Sequence, residues 1–518
     1  MSTTMNGNAD ATTTEADSQF GPVGKALNEL DDRLGIAKGG RNLLDKIFPD
    51  HWSFMLGEIA LYSFVILLAT GVFLTLFYVP SQTIVTYHGS YAPLRGQHVS
   101  QAYASSIDLT FAVRCGLLMR QMHHWACDIF VGAIVVHMAR IFFTGAFRKP
   151  RELNYTIGTL LLILAIGNGF LGYSLPDDLV SGTGIRIAFS ITESIPLVGS
   201  YLAFFLFGGN FPGTAVIPRF FILHVLIIPL IILGLVTAHL FLLVHQKHTQ
   251  FPGKGRTEKN VVGAPMFPIF AMKATGFFFM VLGVTALLGG LAQINPIWQF
   301  GPYDAAKISY AVQPDWYMGW LDGALRIWPS WTTMALGHTV AWEVFLPAAV
   351  LPGVVFGLCF AWPAIERWYT KDNDSHNLLD FPRNRPKRTA AGATMFAFLM
   401  MLFIASATDV LANYFHISLN TVLWIMRVTV ILVPVITFPV TYLICKELQG
   451  VQGAGKRKRA NVVFRTAQGE YLAVPADPRP GDGHHELDAE PVPTFIDLDD
   501  RGTDADEGSA PGTTTVGR

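Results

Sequence analysis

Long apolar runs alternate with polar, often basic, connections over most of this chain. Eight runs reach spanning length, at roughly 55–78, 112–143, 154–175, 219–245, 270–292, 341–362, 390–412 and 420–445. A stretch of about 20 apolar residues is what a helix needs to cross a bilayer. The pattern therefore predicts an all-α membrane protein with eight transmembrane helices. Lys and Arg distribute unevenly between the connections. The N-terminal segment and the loops after runs 2, 4 and 6 carry twenty, whereas the loops after runs 1, 3 and 5 carry five. Basic loops stay on the cytoplasmic side. Both termini are thus expected in the cytoplasm, and the protein in the cell membrane.

The second run is unusual. RCGLLMRQMHHWACDIFVGAIVVHMAR, Arg114 to Arg140, is apolar yet holds His123, His124 and His137. Ionisable groups inside a membrane-length segment are costly and are read first as functional. His123 and His137 are 14 residues apart, nearly four helical turns, which puts them on one face about 21 Å apart along the axis. The fourth run answers with His224 and His239, 15 apart. Two such helices can clamp two flat metal cofactors, one above the other. His124, 13 before His137, fits that face less well and is expected to be a bystander. Pro229 would kink the fourth helix, a reason for its spacing of 15.

Glycines repeat the interval. Gly57 and Gly71 in the first run are 14 apart, and so are Gly158 and Gly172 in the third. A macrocycle inside a four-helix bundle needs gaps where it meets backbone. Ordinary small-residue packing uses a spacing of four and does not predict 14 twice. Arg120, Arg140 and Arg219 stand at the rims of their spans, placed to pair with propionates by charge-assisted hydrogen bonds or to snorkel to headgroups.

Composition narrows the classes. The 518 residues are 51% hydrophobic and 14% charged, with a net charge of −1, which gives no reason to expect a nucleic-acid partner. Cys115, Cys127, Cys359 and Cys445 form no CxxC, so thiolate metal sites and covalent haem attachment are not expected. The polar start lacks the apolar core of a signal peptide. Residues 1–20 read as a disordered tail, and 25–50 as a segment lying along the membrane surface. KRKR (456–459) reads as a topological anchor or lipid contact, NVVFRTAQGEYLAV as a small hairpin, and the acidic end as disordered. Four segments result: 1–50, a cofactor-binding bundle over 51–250, a second membrane domain over 251–445, and a polar tail over 446–518. Of the long loops, 176–218 and 293–340 carry the motifs, and 79–111 looks more ordinary.

The His/Gly/Arg pattern resembles that of the cytochrome b subunit of the quinol–cytochrome c oxidoreductase, over residues 50–445. Two loop motifs add to it: Gln313-Pro314-Asp315-Trp316-Tyr317, similar to the family's Pro-Glu-Trp-Tyr, and Gly172-Tyr173-Ser174-Leu175-Pro176 followed by a Gly-rich helix with Gly184. The 15-residue spacing, the eight fused helices and the long tail resemble the actinobacterial branch. The resemblance implies a di-haem four-helix bundle. His123 and His224 would ligate an outer b haem, and His137 and His239 an inner one. Quinol, menaquinol by resemblance to that branch, would be oxidised at the outer face, with Asp315 as proton acceptor and Tyr317 as its partner. The family has Glu where Asp315 stands. Asp177–Asp178 could share the proton path, although a helix-capping turn explains them better. Quinone would be reduced at the inner face near His245 and Lys273. Ala274 stands where the family has an acid, which leaves His248 or Glu258 to deliver protons. Implied partners are a Rieske iron–sulfur subunit, a cytochrome c subunit, a cytochrome c oxidase in a supercomplex, and a second copy in a homodimer.

Two other classes fit parts of the pattern. A cytochrome b anchor of a dehydrogenase or hydrogenase would lack the Pro-Asp-Trp-Tyr loop. A secondary transporter with relay histidines should show inverted repeats, and none is seen.

Overall fold

A computed structural model describes residues 29, 44–209, 213–307, 313–335, 337–453, 461–465 and 471–475. Among these are eight helices long and apolar enough to cross a membrane: α1 (Trp52–Thr75), α2 (Gly116–Thr144), α3 (Glu152–Tyr173), α4 (Val216–Gln246), α5 (Met266–Leu291), α6 (Trp342–Thr370), α7 (Pro386–Ala405) and α8 (Leu419–Gly450). A helix closes its own backbone hydrogen bonds, which hydrocarbon demands of a spanning segment. Among the described residues the strands form two-stranded pairs and no closed sheet. The N-terminal tail 1–20, most of 25–50, KRKR and the acidic end lie outside the described residues.

The chain divides into two units, Met1–Tyr442 and Leu443–Arg518. In the second, Asn461–Arg465 pairs antiparallel with Tyr471–Pro475, the hairpin read from the sequence. In the first, α1 packs on α2, α2 on α3, and α3 on α4, with α5 against both α1 and α2. The core of this bundle is a cluster of Phe64, Phe130, Val131, Ile134, Ile157, Leu161, Ala165 and Ile232. Phe64 and Phe130 stack at 5.6 Å. The cluster fills the middle of the bundle and leaves the polar residues of α2 and α4 toward its two ends.

Three elements differ from the hydropathy reading. The sixth helix runs on to Thr370 rather than stopping near 362. Its charged end is accommodated because Glu366 is buried in an ion pair with Arg388, which also binds Asp380. The seventh ends at Ala405, and Thr408–Phe415 forms a separate helix. The 79–111 loop is more ordered than expected. Ile84–Thr86 pairs with His98–Ser100, and Ser100 caps a helix, Gln101–Phe111, through the Tyr103 N–H. Ala102, Tyr103 and Ile107 of that helix are fully buried.

Candidate functional site: two histidine pairs and an acidic loop

Each repeat glycine faces one of the four histidines. A Cβ at Gly57 would lie 3.2 Å from His137 Cε1, and one at Gly71 3.2 Å from His123 Cε1. The corresponding distances are 3.8 Å from Gly158 to His239 and 2.5 Å from Gly172 to His224. The 14-residue interval of α1 and α3 is thus the interval of the imidazoles they cover.

The imidazoles meet in pairs. His123 and His224 have ring centroids 6.1 Å apart and planes crossed at 77°. His137 and His239 are 6.5 Å apart and crossed at 73°. A metal–imidazole bond of about 2.0 Å on each side, with roughly 1.2 Å from nitrogen to ring centre, gives about 6.4 Å. Each gap therefore fits one metal ion. Among the described residues no group of three or more His, Cys, Asp or Glu could hold a metal. The protein thus offers two nitrogen donors per pair, and a ligating macrocycle would have to supply the rest.

The His123 pair is pre-oriented. Thr70 Oγ1 donates to Ile66 O at 2.7 Å, so the His123 Nδ1–H donates to Thr70 Oγ1 at 2.9 Å. His224 Nδ1–H donates to Asn168 O at 2.8 Å. Both Nε2 atoms are left as bare acceptors, the tautomer a metal needs. At the other pair, His137 Nδ1 and His239 Nδ1 are buried without a hydrogen bond.

The spacing of 15 has a local cause. Leu223–Ile227 is a turn of π-helix directly before Ile228–Gln246. Pro229 has no N–H for the Val225 carbonyl and its ring would collide with it. The wider turn removes that collision and takes up one extra residue. His224 and His239 therefore still face one seam. The proline acts through a π-turn that absorbs a residue.

The arginines separate. Arg120 donates to Asn295 O at 3.3 Å, and its Nε and Nη2 are buried without partners. Arg140 lies over the Phe54 ring at 4.5 Å and leaves Nη2 buried and unpartnered. These are free donors for an anion. Arg219 is otherwise: its exposed guanidinium binds the carbonyls of Phe204 and Phe205 and caps the Gly199–Phe207 helix. The expectation of Arg219 as a propionate partner gives way to this capping role, which suits a cation at a helix C-terminus.

Asp315 begins a short turn, Trp316–Met318. The Tyr317 hydroxyl donates to its Oδ2 at 2.8 Å. Burial, with Cys127 and Asp315 nearby, pushes the Tyr317 phenol well above its ordinary range, so it stays a donor. A Cβ at Gly169 would come within 2.5 Å of that hydroxyl, so this glycine makes the room for it. His124 is no bystander: its Nε2 lies 2.9 and 3.0 Å from the two oxygens of Asp315. Spacing along the chain cannot reveal this contact, because the partners are 191 residues apart. His123 and His124 point about 100° apart around α2, one to its pair and one to the acidic loop. A cavity of ≈ 270 Å³ touches His123, His224, Gly71, Gly172, Arg120, His124 and Asp315. A second, of ≈ 410 Å³, lies between the Leu179–Glu193 helix, Leu325 and Val344, with Arg186 and Lys307 on its wall.

Asp178 caps the Leu179–Glu193 helix in a reciprocal box with Ser181, the capping role expected. Asp177 has a left-handed φ of 55°. Burial pushes both carboxyls up to about 6, against the hydrogen bonds they accept. At the other end, Lys273 pairs with Asp50, and His245 is exposed and stacks on Phe241. Glu258 accepts from the backbone N–H groups of Asn377 and Leu378, which ties it to that loop. Burial, followed by Arg151, Arg140 and Lys46, pushes His248 down to about 4. It is neutral at pH 7 and a poor proton donor there.

The family model described as cytochrome b(N-terminal)/b6/petB matches residues 128–302. The cytochrome bc1 complex cytochrome b subunit of Streptomyces coelicolor is 48% identical over 459 residues, covering 88% of this chain and 84% of the relative. The subunit of the same name from Mycobacterium tuberculosis is 50% identical over 465 residues, covering 89% and 84%. That from Corynebacterium diphtheriae is 50% identical over 422 residues, covering 82% and 78%. A solved structure described as a hyperthermophilic respiratory Complex III shares the fold, with a TM-score of 0.59 at 20% identity over 81% of this chain and 99% of that one. With a histidine opposite each repeat glycine and 48–50% identity to these relatives over most of its length, the chain belongs to the family of cytochrome b subunits of the cytochrome bc1 complex.

Proposed function

We propose that this chain carries electrons across the membrane as the cytochrome b subunit of a respiratory quinol–cytochrome c oxidoreductase. It oxidises quinol at one face and reduces quinone at the other, with proton translocation. The observation that carries the reading is the fourfold match of glycine to histidine across two pairs.

His123 with His224, and His137 with His239, hold two b-type haems, with Gly57, Gly71, Gly158 and Gly172 seating them against backbone. When bound, these supply reversible one-electron acceptors with no open position for oxygen. Arg120 and Arg140 hold propionates through their unpartnered donors. The basic loops support a topology with the His137 end and both termini toward the cytoplasm, in the plasma membrane.

Oxidising a quinol releases two protons, so an acceptor must stand within hydrogen-bond reach. Asp315 fills that role, in a cavity wall it shares with the His123 pair. The Tyr317 hydroxyl donates to its Oδ2. At the His137 end, His245 and Lys273 are the first contacts offered to quinone. The quinone is a menaquinone in this reading, which rests on the actinobacterial relatives. One electron of each quinol leaves to a Rieske iron–sulfur subunit and a cytochrome c subunit, and the other crosses the membrane through this chain, in a homodimer that joins a cytochrome c oxidase.

His137→Ala tests the pairing. Reduced-minus-oxidised absorption of the purified complex should lose the contribution of one b haem and keep the other. Loss of both, or of neither, would overturn the assignment. A dehydrogenase anchor is disfavoured by the Asp315 loop and separated by co-purification of an iron–sulfur subunit.

A further inference from the structure

The Asp315 carboxylate is held from two elements. His124 Nε2, from α2, stands 2.9 Å from Oδ1 and 3.0 Å from Oδ2. The Tyr317 hydroxyl, from the loop itself, takes Oδ2 at 2.8 Å. The His124 and Asp315 side chains are only 12% and 16% exposed. One N–H centred between two oxygens fixes how far the carboxylate reaches from its Cα. An added methylene, about 1.5 Å longer, would drive the head group into the imidazole. The aspartate that replaces the family's glutamate and the histidine that faces it are therefore matched in length.

We propose that His124 is a positioning residue for quinol oxidation, one that clamps Asp315 in a single orientation. This rests on the reading of Asp315 as the proton acceptor. A glutamate reaches its substrate through an extra torsion. Here the acceptor is short and restrained, so orientation is set before substrate arrives. His124 contributes an N–H to the carboxylate. Restraint of a reacting group acts on the transition state more than on ground-state binding, and misplacement by about 1 Å costs on the order of 10²-fold. Losing the clamp should therefore lower kcat and leave KM nearly unchanged.

The test uses the purified complex, a short-chain quinol as donor and a soluble one-electron acceptor, with rates normalised to b-haem absorbance. His124→Ala should lower kcat at least tenfold with KM within twofold. His124→Gln, which keeps an amide donor, should recover part of the rate. Asp315→Glu should be slow alone, and His124→Ala with Asp315→Glu should be faster than either single variant. A merely structural histidine predicts the reverse, a double variant slower than both. That result overturns the proposal, as does a His124→Ala rate within twofold of the parent while Asp315→Asn is strongly impaired. Full activity in Asp315→Asn overturns the acceptor reading and the clamp with it. If His124→Ala fails to assemble, His124→Asn takes its place and must show the same recovery with Asp315→Glu.

Discussion

At the His123 end of the bundle the buried ionisable groups in the loops are acids. Asp177 and Asp178 are both raised to about 6 by burial, and Asp315 is clamped between an imidazole and a phenol. At the His137 end a buried base, His248, stands in the loops, while the buried carboxylate Glu366 is neutralised by Arg388. His248 is pushed down to about 4 by burial and by Arg151, Arg140 and Lys46, and Arg140 Nη2 and His248 Nε2 are buried without partners. Yet the two ends share one frame, a pair of imidazoles each covered by a glycine. The frame is nearly symmetric because the interval of α1 and α3 repeats. The asymmetry lies in the connections. An end lined with carboxyls near neutrality can hold and release protons. Spare cationic donors stand at both ends, on Arg120 and Arg140, and at the second end the clustered arginines disfavour a protonated histidine.

The frame itself is the place to break the comparison most severely. Gly172→Ala puts a methyl 2.5 Å from His224 Cε1, whereas Gly158→Ala puts one 3.8 Å from His239. The first is far inside contact distance against a buried ring, and the second is ordinary packing. We expect Gly172→Ala to abolish one b haem in the absorption spectrum and Gly158→Ala to keep both. Gly57→Ala and Gly71→Ala, at 3.2 Å, should fall between. Equal effects at all four positions would show that the glycines do not act through the histidines. Next comes Asp315→Asn, which keeps the shape and removes the base. Quinol oxidation should fall on the order of 10²-fold, with both haem signals intact. The rate at which externally added quinol reduces the haems reports it.

Much of this frame is legible in the amino-acid pattern, and the reason is geometric. A helix has a fixed rise, so His123/His137 and Gly57/Gly71 give axial positions from numbering alone. Membrane hydropathy likewise finds eight spans, because lipid demands apolar side chains over a set length. What escapes is set by contacts between distant segments. The end of α6 is invisible to hydropathy because Glu366 is buried only through Arg388, 22 residues on. His124 looks idle until Asp315 is brought beside it. Arg219 sits at the right rim for a propionate, but the fold places carbonyls of Phe204 and Phe205 against it. The π-turn at Leu223–Ile227 is half legible: Pro229 and the interval of 15 flag an irregularity without saying which kind.

The acid–base contrast can be sharpened through Asp177. Its carboxyl, raised from 3.8 to about 6, is easier to protonate folded than unfolded. Burial is tolerated below pH about 4 and penalises the fold progressively as pH rises through 6. Asp177→Asn removes that penalty. A two-unit shift corresponds to about 2.7 kcal/mol, from which the altered hydrogen bonding to Ser100 and Gln82 subtracts roughly 1 kcal/mol. The variant should melt a few degrees higher than the parent at pH 7.5 and at the same temperature at pH 4. A gain that is independent of pH would mean that the carboxyl is not titrating in this range.

The smallest effect tests the difference inside the frame. His123 Nδ1–H has an acceptor in Thr70 Oγ1, and His137 Nδ1 has none. Donation from Nδ1 makes the imidazole a stronger electron donor toward whatever Nε2 binds, which favours the oxidised metal. Thr70→Val keeps the shape and removes the acceptor. A hydrogen bond of about 1 kcal/mol corresponds to roughly 40 mV for one electron, and only part of it differs between oxidation states. Redox titration should therefore raise the potential of the haem at the His123 end by about 20–40 mV and leave the other where it was. Because Thr70 also ties back to Ile66 O within α1, a purely structural role would loosen the helix and broaden both haem signals together. Movement of one potential alone separates tuning of the ligand from support of the helix.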